Sequence, residues 1–198
     1  MLLRFVRLAA LAGLCAASAH AQEIRSLEIN TRGIGASFSN IRLTELNRPS
    51  YRFSVESLES FSHYRFHIDS PGARIKLEAA LENKLNLIYE GATIALPAQQ
   101  QQSPWHPLEM ANGTDFTAPQ FSDDERQQFS ALGADDIAAA AGKLPNASPG
   151  LIQQARRCAT PATFPCLVEP SGVKVRILVQ QGTDWVVRHE LVFDLTPS

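Results

Sequence analysis

In the stretch HYRFHID, residues 63–69, His63, Arg65, His67 and Asp69 stand at every second position, with Tyr64, Phe66 and Ile68 between them. Imidazoles and a carboxylate at this spacing suggest two chemistries, metal ligation and general acid–base catalysis. Both depend on distance. On an extended strand His63 and His67 lie about 13 Å apart, whereas each ligand of a zinc ion must come to about 2 Å from it, so the two cannot share an ion. His67 and Asp69 are close enough to share one, but a third ligand would have to come from His106 or His189. As an acid–base pair they also lack company, because the chain has no G-x-S-x-G, no glycine-rich phosphate loop and no H-E-x-x-H. The stretch reads as a strand with one polar face in water and Tyr64, Phe66 and Ile68 turned to a core. No catalytic, metal or cofactor-binding residue is assigned, and no cofactor is expected.

Two further groups invite the same question. Asp123, Asp124, Glu125, Asp135 and Asp136 are acidic enough for calcium but lack the alternating oxygen ligands and glycine of a calcium loop. Negative charge at helix N-termini accounts for them. Trp105, beside His106 and Pro107, could line a ligand groove or pin a loop onto the body of the protein.

The elements that would position these residues follow from periodicity. Ile34, Ala36 and Phe38, then Ile41 and Leu43, then Tyr51, Phe53 and Val55 alternate as half-buried strands do. Residues 85–96 are also read as strand, and Arg74 to Lys84 fits strand or helix. Residues 98–121, with four glutamines at 99–102 and prolines at 104, 107 and 119, are read as a surface linker. A helical segment follows over 122–158. Ser122 and Glu125 form a capping box, Gly133 is expected to end the first helix, a second runs from about Asp135 to Lys143, and a third opens at Ser148-Pro149. Residues 159–198 read as a hairpin in which Val173, Val175, Ile177 and Val179 face Trp185, Val187, Leu191 and Phe193. These positions are all odd, so a loop of three or five residues around Gly182 is expected. The fold class is α+β, mainly antiparallel sheet, sandwich-like over 22–97, with a short helical segment and a C-terminal β-hairpin.

Compartment comes from the first 21 residues. Arg4 and Arg7 precede an apolar run from Leu8 to Ala17, and Ala19-His20-Ala21 fits a cleavage site after Ala21. The run is too short to span a membrane. Cleavage removes two of 18 basic residues and no acidic one, leaving 16 against 20 and a net charge of −4, which disfavours nucleic acid as a partner. Cys15 leaves with the leader, so Cys158 and Cys166 are expected to form a disulfide in an oxidising compartment.

Three stretches read in order resemble the periplasmic chaperones of pilus assembly: INTRGIG (29–35), ESFSHYRFHIDSPG (59–72) and KLNLIYEGATIALP (84–97), with EMANGTDF (109–116) similar to the opening of their second domain. The resemblance covers about 45 residues. It implies strand donation, with Leu85, Leu87 and Tyr89 filling a subunit's groove and Arg32 and Lys84 holding its terminal carboxylate. The chain departs from the family in the short run between Arg32 and Lys84, roughly half of what a first domain of that family needs, and in its helical segment. The expectation is an exported, non-catalytic module, periplasmic or secreted, that binds or escorts another envelope protein through an exposed strand edge or the loop around Trp105. One rival is a small secreted hydrolase using His67 and Asp69 with His106. Another is an inhibitor or immunity protein for a toxin, which shares every composition feature of the first reading.

Overall fold

The structure, a computed structural model, describes residues 24–32 and 38–196. The expected leader lies outside the described residues. One sheet contains β1 (Ser26–Arg32), β2 (Phe38–Thr44), β4 (Arg65–Asp69), β8 (Glu109–Met110) and β9 (Asp115–Thr117), in the order β2-β1-β4-β9-β8. The other contains β3 (Ser50–Val55), β5 (Ile75–Tyr89), β6 (Ala92–Gln102), β7 (His106–Pro107), β10 (Cys166–Gln181) and β11 (Asp184–Leu195), in the order β3-β11-β10-β5-β6, with β7 beside β5. Every pairing is antiparallel except β3 with β11, which is parallel. The fold is α+β and sandwich-like.

Alternation explains the main core. Leu27, Ile29, Phe66, Ile68 and Phe116 project from the first sheet onto Leu77, Leu81, Val175, Ile177 and Phe193 of the second, all at most 1 % exposed. The short helix α1 (Leu58–Ser62) starts where the Ser57 side chain accepts the Ser60 N–H, and it buries Phe61 against Phe193 with ring centroids 5.2 Å apart. β5 and β10 extend beyond the sandwich. On that extension Leu85, Leu87, Cys166 and Val168 are covered by α3 (Ala134–Gly142) and α4 (Pro149–Ala155) through Ile137, Ala141 and Leu151. Asn83 stands between the two cores, 1 % exposed, its Nδ2 donating to the carbonyls of Glu125 and Gln128 at 2.7 and 2.9 Å. This ties α2 (Asp123–Gln127) to β5.

Several expectations change here. The C-terminal hairpin is not an appendage to an N-terminal sandwich, since β10 and β11 lie at the centre of the six-stranded sheet. Its turn has two residues, Gly182 and Thr183, because one residue, Arg188, bulges out of β11 and shifts the register between Ile177–His189 and Leu178–Val187. The parity argument holds before the bulge and fails after it. Trp185 therefore lies opposite Gln180, on the outward face. Arg74 to Lys84 resolves as strand from Ile75 onward. The expected linker is mostly structured: Gln99–Gln102 belong to β6, and β7, β8 and β9 follow. Gly133 precedes α3 as its N-cap and does not close α2, which ends at Gln127. The capping box of Ser122 and Glu125, the Ser148 cap and the Cys158–Cys166 disulfide are present.

Candidate functional site

HYRFHID divides in two. His63 caps the C-terminus of α1, and the strand begins at Arg65, so the two histidines do not share one strand face. From Arg65 onward the polar residues form rows across the five-stranded sheet. One row runs Arg42, Glu28, His67, Asp115; the next runs Asn40, Asn30, Arg65, Thr117, Glu109. Basic and acidic side chains alternate in the first row. Arg42 meets Glu28 at 3.1 Å, and His67 Nδ1 meets Asp115 Oδ1 at 2.6 Å. The hydrogen bond from His67, helped by one involving Asn112, holds the Asp115 carboxyl below its ordinary range. Asp69 stands opposite Ser26 and is not the partner of His67.

A second imidazole–carboxylate pair lies on the other sheet. His106 Nε2 bonds Glu125 Oε1, while Glu125 Oε2 accepts from the Ser122 N–H and hydroxyl at 2.9 Å each. Burial raises the Glu125 carboxyl, but the bonds from Ser122 and His106 outweigh it and leave the group below its ordinary value. The arrangement ties β7 to the first turn of α2. Neither imidazole has a hydroxyl or thiol on its second nitrogen among the described residues, and Cys158 and Cys166 are consumed in the disulfide. No three His, Cys, Asp or Glu side chains come together around one point among the described residues. Both pairs link separate elements, His67 joining β4 to β9 and His106 joining β7 to α2.

Trp105 pins its loop to the outward face of the six-stranded sheet, where the Arg176 guanidinium lies 4.2 Å from the ring centroid. Arg176 in turn bonds Glu78, which also pairs with Lys76 at 3.0 Å, and Lys76 lies 5.0 Å from the Trp185 ring.

The residues drawn from the pilus-chaperone resemblance fall elsewhere than it implies. Leu85 and Leu87 are fully buried under α3 and α4, on a strand with neighbours on both sides, so neither is offered to a partner's groove. Tyr89 is half-buried with its hydroxyl over Gly150, where a Cβ would stand 2.5 Å from the oxygen. Lys84 projects from the outward face of the six-stranded sheet, whereas Arg32 belongs by its backbone to β1 of the other sheet and its side chain lies outside the described residues.

Exposed strand edge is concentrated on one flank. The Ile68 N–H donates to Thr114 at 2.9 Å, which turns the even residues of β4 to β9 and His67 to β1. Alternation of ladder bonds then points Ile41 and Leu43 at β1 and leaves the N–H and C=O of Asn40, Arg42 and Thr44 facing out. In β3, Pro49 and Val55 accept from Glu190 and Thr196 at 2.9 and 3.0 Å, so Ser50, Arg52 and Ser54 face out. Between these two edges Ile41, Leu43, Tyr51 and Phe53 are only partly buried against the core.

Periodicity missed this site because it shows which face of a strand is wet and not which strand is last in its sheet. Asp115 was findable: Asn112-Gly113 is a hairpin turn signal, and it places Asp115–Thr117 on a return strand. The chain matches no protein-family model, no curated protein and no solved structure.

Proposed function

We propose that this chain is an exported, non-catalytic protein-binding module of the cell envelope that accepts an extended segment of its partner along the flank of β2 and β3. The observation that carries the reading is the pair of open edges, continuous over seven and six residues without a proline or a register shift. An added strand would bond to the outward groups of Asn40, Arg42 and Thr44, or of Ser50, Arg52 and Ser54. Its alternate side chains would cover the half-exposed Ile41, Leu43, Tyr51 and Phe53. Main-chain bonds supply affinity in such augmentation, and side-chain pockets supply specificity. The Cys158–Cys166 disulfide and the leader pattern around Arg4 and Arg7 support export. No described helix is long and apolar enough to cross a membrane.

The test uses the edge geometry. Asn40→Pro and Thr44→Pro each delete an outward N–H and leave the β1–β2 ladder intact, since proline is tolerated where its missing donor faces solvent. A photo-crosslinking residue at Arg42, in the full chain expressed in its host, should trap one partner, and the paired proline substitutions should abolish the adduct while the fold persists by circular dichroism. The same probe at Gln100 on the opposite flank should trap nothing. Equal trapping from both flanks, or an adduct indifferent to the prolines, sinks the proposal.

A further inference from the structure

A polar furrow runs beside the segment from Thr117 to Phe121, away from the open flank. It has two lobes of about 240 and 430 Å³, which share Ser62, His63, Pro119 and Gln120. The smaller lobe carries Glu59 and Arg126, already paired at 3.4 Å. The larger lobe carries Arg65 and Glu109. These two stand in one cross-strand row with Thr117 between them, and neither meets an opposite charge among the described residues. Among the described residues the Arg65 guanidinium reaches only the Tyr64 carbonyl, at 3.0 Å. His63, on the shared wall, has no side-chain hydrogen bond among the described residues.

The backbones under Arg65 and Glu109, two strands apart, are separated by about 9.5 Å, and two or three extended residues, at about 7–11 Å, lie along that span without either side chain having to leave its own strand. The volume of the larger lobe falls within the usual range for a small-ligand site, about 300–1,000 Å³. We propose that the larger lobe binds the main chain of a di- or tripeptide, with the terminal carboxylate on Arg65 and His63 and the α-ammonium on Glu109. Pro107, Ala118 and Pro119 form walls against the ligand's side chains without selecting among them. A guanidinium suits the planar carboxylate, because its donors form a fork that matches two oxygens.

The experiment is a titration of the ¹⁵N-labelled mature chain, followed by amide chemical shifts, with three probes: Ala-Ala-Ala, its C-terminal amide and its N-acetyl form. The free tripeptide should shift residues 62–65, 107–109 and 117–120 saturably. Blocking either terminus should weaken binding by about tenfold or more, the scale of one lost charge-assisted contact. Arg65→Gln should abolish discrimination between acid and amide while keeping that between ammonium and acetyl, and Glu109→Gln should do the reverse. Both residues are exposed, so the substitutions leave the core untouched. Absence of a saturable shift, equal binding of the three probes, or variants that keep both discriminations would each overturn the proposal.

Discussion

The two flanks of the sandwich are built from the same kind of strand and end in opposite ways. On one flank, among the described residues, β2 and β3 expose uninterrupted rows of outward N–H and C=O groups. On the other, β6 carries Pro97 and an irregular stretch in which its pairing with β5 jumps from Ala95 to Gln100, while β7 and β8 have two residues each and β7 includes Pro107. The chain itself crosses between the sheets there at Leu108, whose N–H donates to Leu77 at 2.9 Å. Ser130 also reaches Gln101 at 2.9 Å, bringing the helical segment over that edge. Short strands, prolines, irregularities and covering elements are how proteins prevent unwanted strand pairing. Among the described residues the edges of β2 and β3 carry none of these features, so the two flanks differ in kind.

If the blunted flank is closed because the apolar row of β5 lies under helices, truncating that row must destabilise the protein. Leu87→Ala should cost about 2–5 kcal/mol, read from the shift in urea midpoint at unchanged slope. A loss well under 1 kcal/mol would mean Leu87 is accessible and would restore the strand-donor reading. The next effect concerns the clamp on the same side. Replacing Cys158 and Cys166 by serine together should cost about 2–3 kcal/mol, since the closed loop is short, yet trapping by the β2 probe should survive under native conditions. Loss of trapping in a folded double variant would show that the flanks are coupled. Smaller again, Asn83→Ala removes both bonds that hold the end of α2 to β5, at about 1–3 kcal/mol. Hydrogen exchange should quicken around Glu125 and leave β2 unchanged; faster exchange in both would break the distinction between the flanks.

Much of this was legible from residue order wherever a local rule decides the outcome. The wet face of Arg65, His67 and Asp69, the capping box at Ser122 and the disulfide between Cys158 and Cys166 all join residues within a few positions of one another. The neighbours of β5 were not legible. Leu85 and Leu87 alternate as convincingly for an edge strand as for an interior one, because a period of two reports the buried face and is silent on lateral partners. α1 escaped for a different reason: five residues are too few for a helical stripe, and only the Ser57 cap marks it. The bulge at Arg188 had no local signal, and that one residue sends Trp185 to the opposite face.

The weakest expected effect separates the two imidazole–carboxylate pairs by acid. Glu125 sits under the closed flank with its side chain 18 % exposed, and Asp115 lies on the open polar face at 39 %. Both carboxyls ionise more readily in the folded chain than in the unfolded one. A carboxyl whose folded value is depressed adds stability that is fully present above its unfolded value and is lost as pH falls through the folded value. For Glu125 that decline begins near the ordinary value of 4.5 and continues below it. The stability gap between the wild type and Glu125→Gln, measured by denaturant midpoints across that range, should therefore narrow steadily as acid is added. Asp115→Asn should show the same sign with a shallower slope, because solvent screens the exposed pair. A gap for Glu125→Gln that stays constant from neutral pH into this range would mean the His106 contact contributes packing and no charge. The acid sensitivity of the helical cover would then have to come from another group.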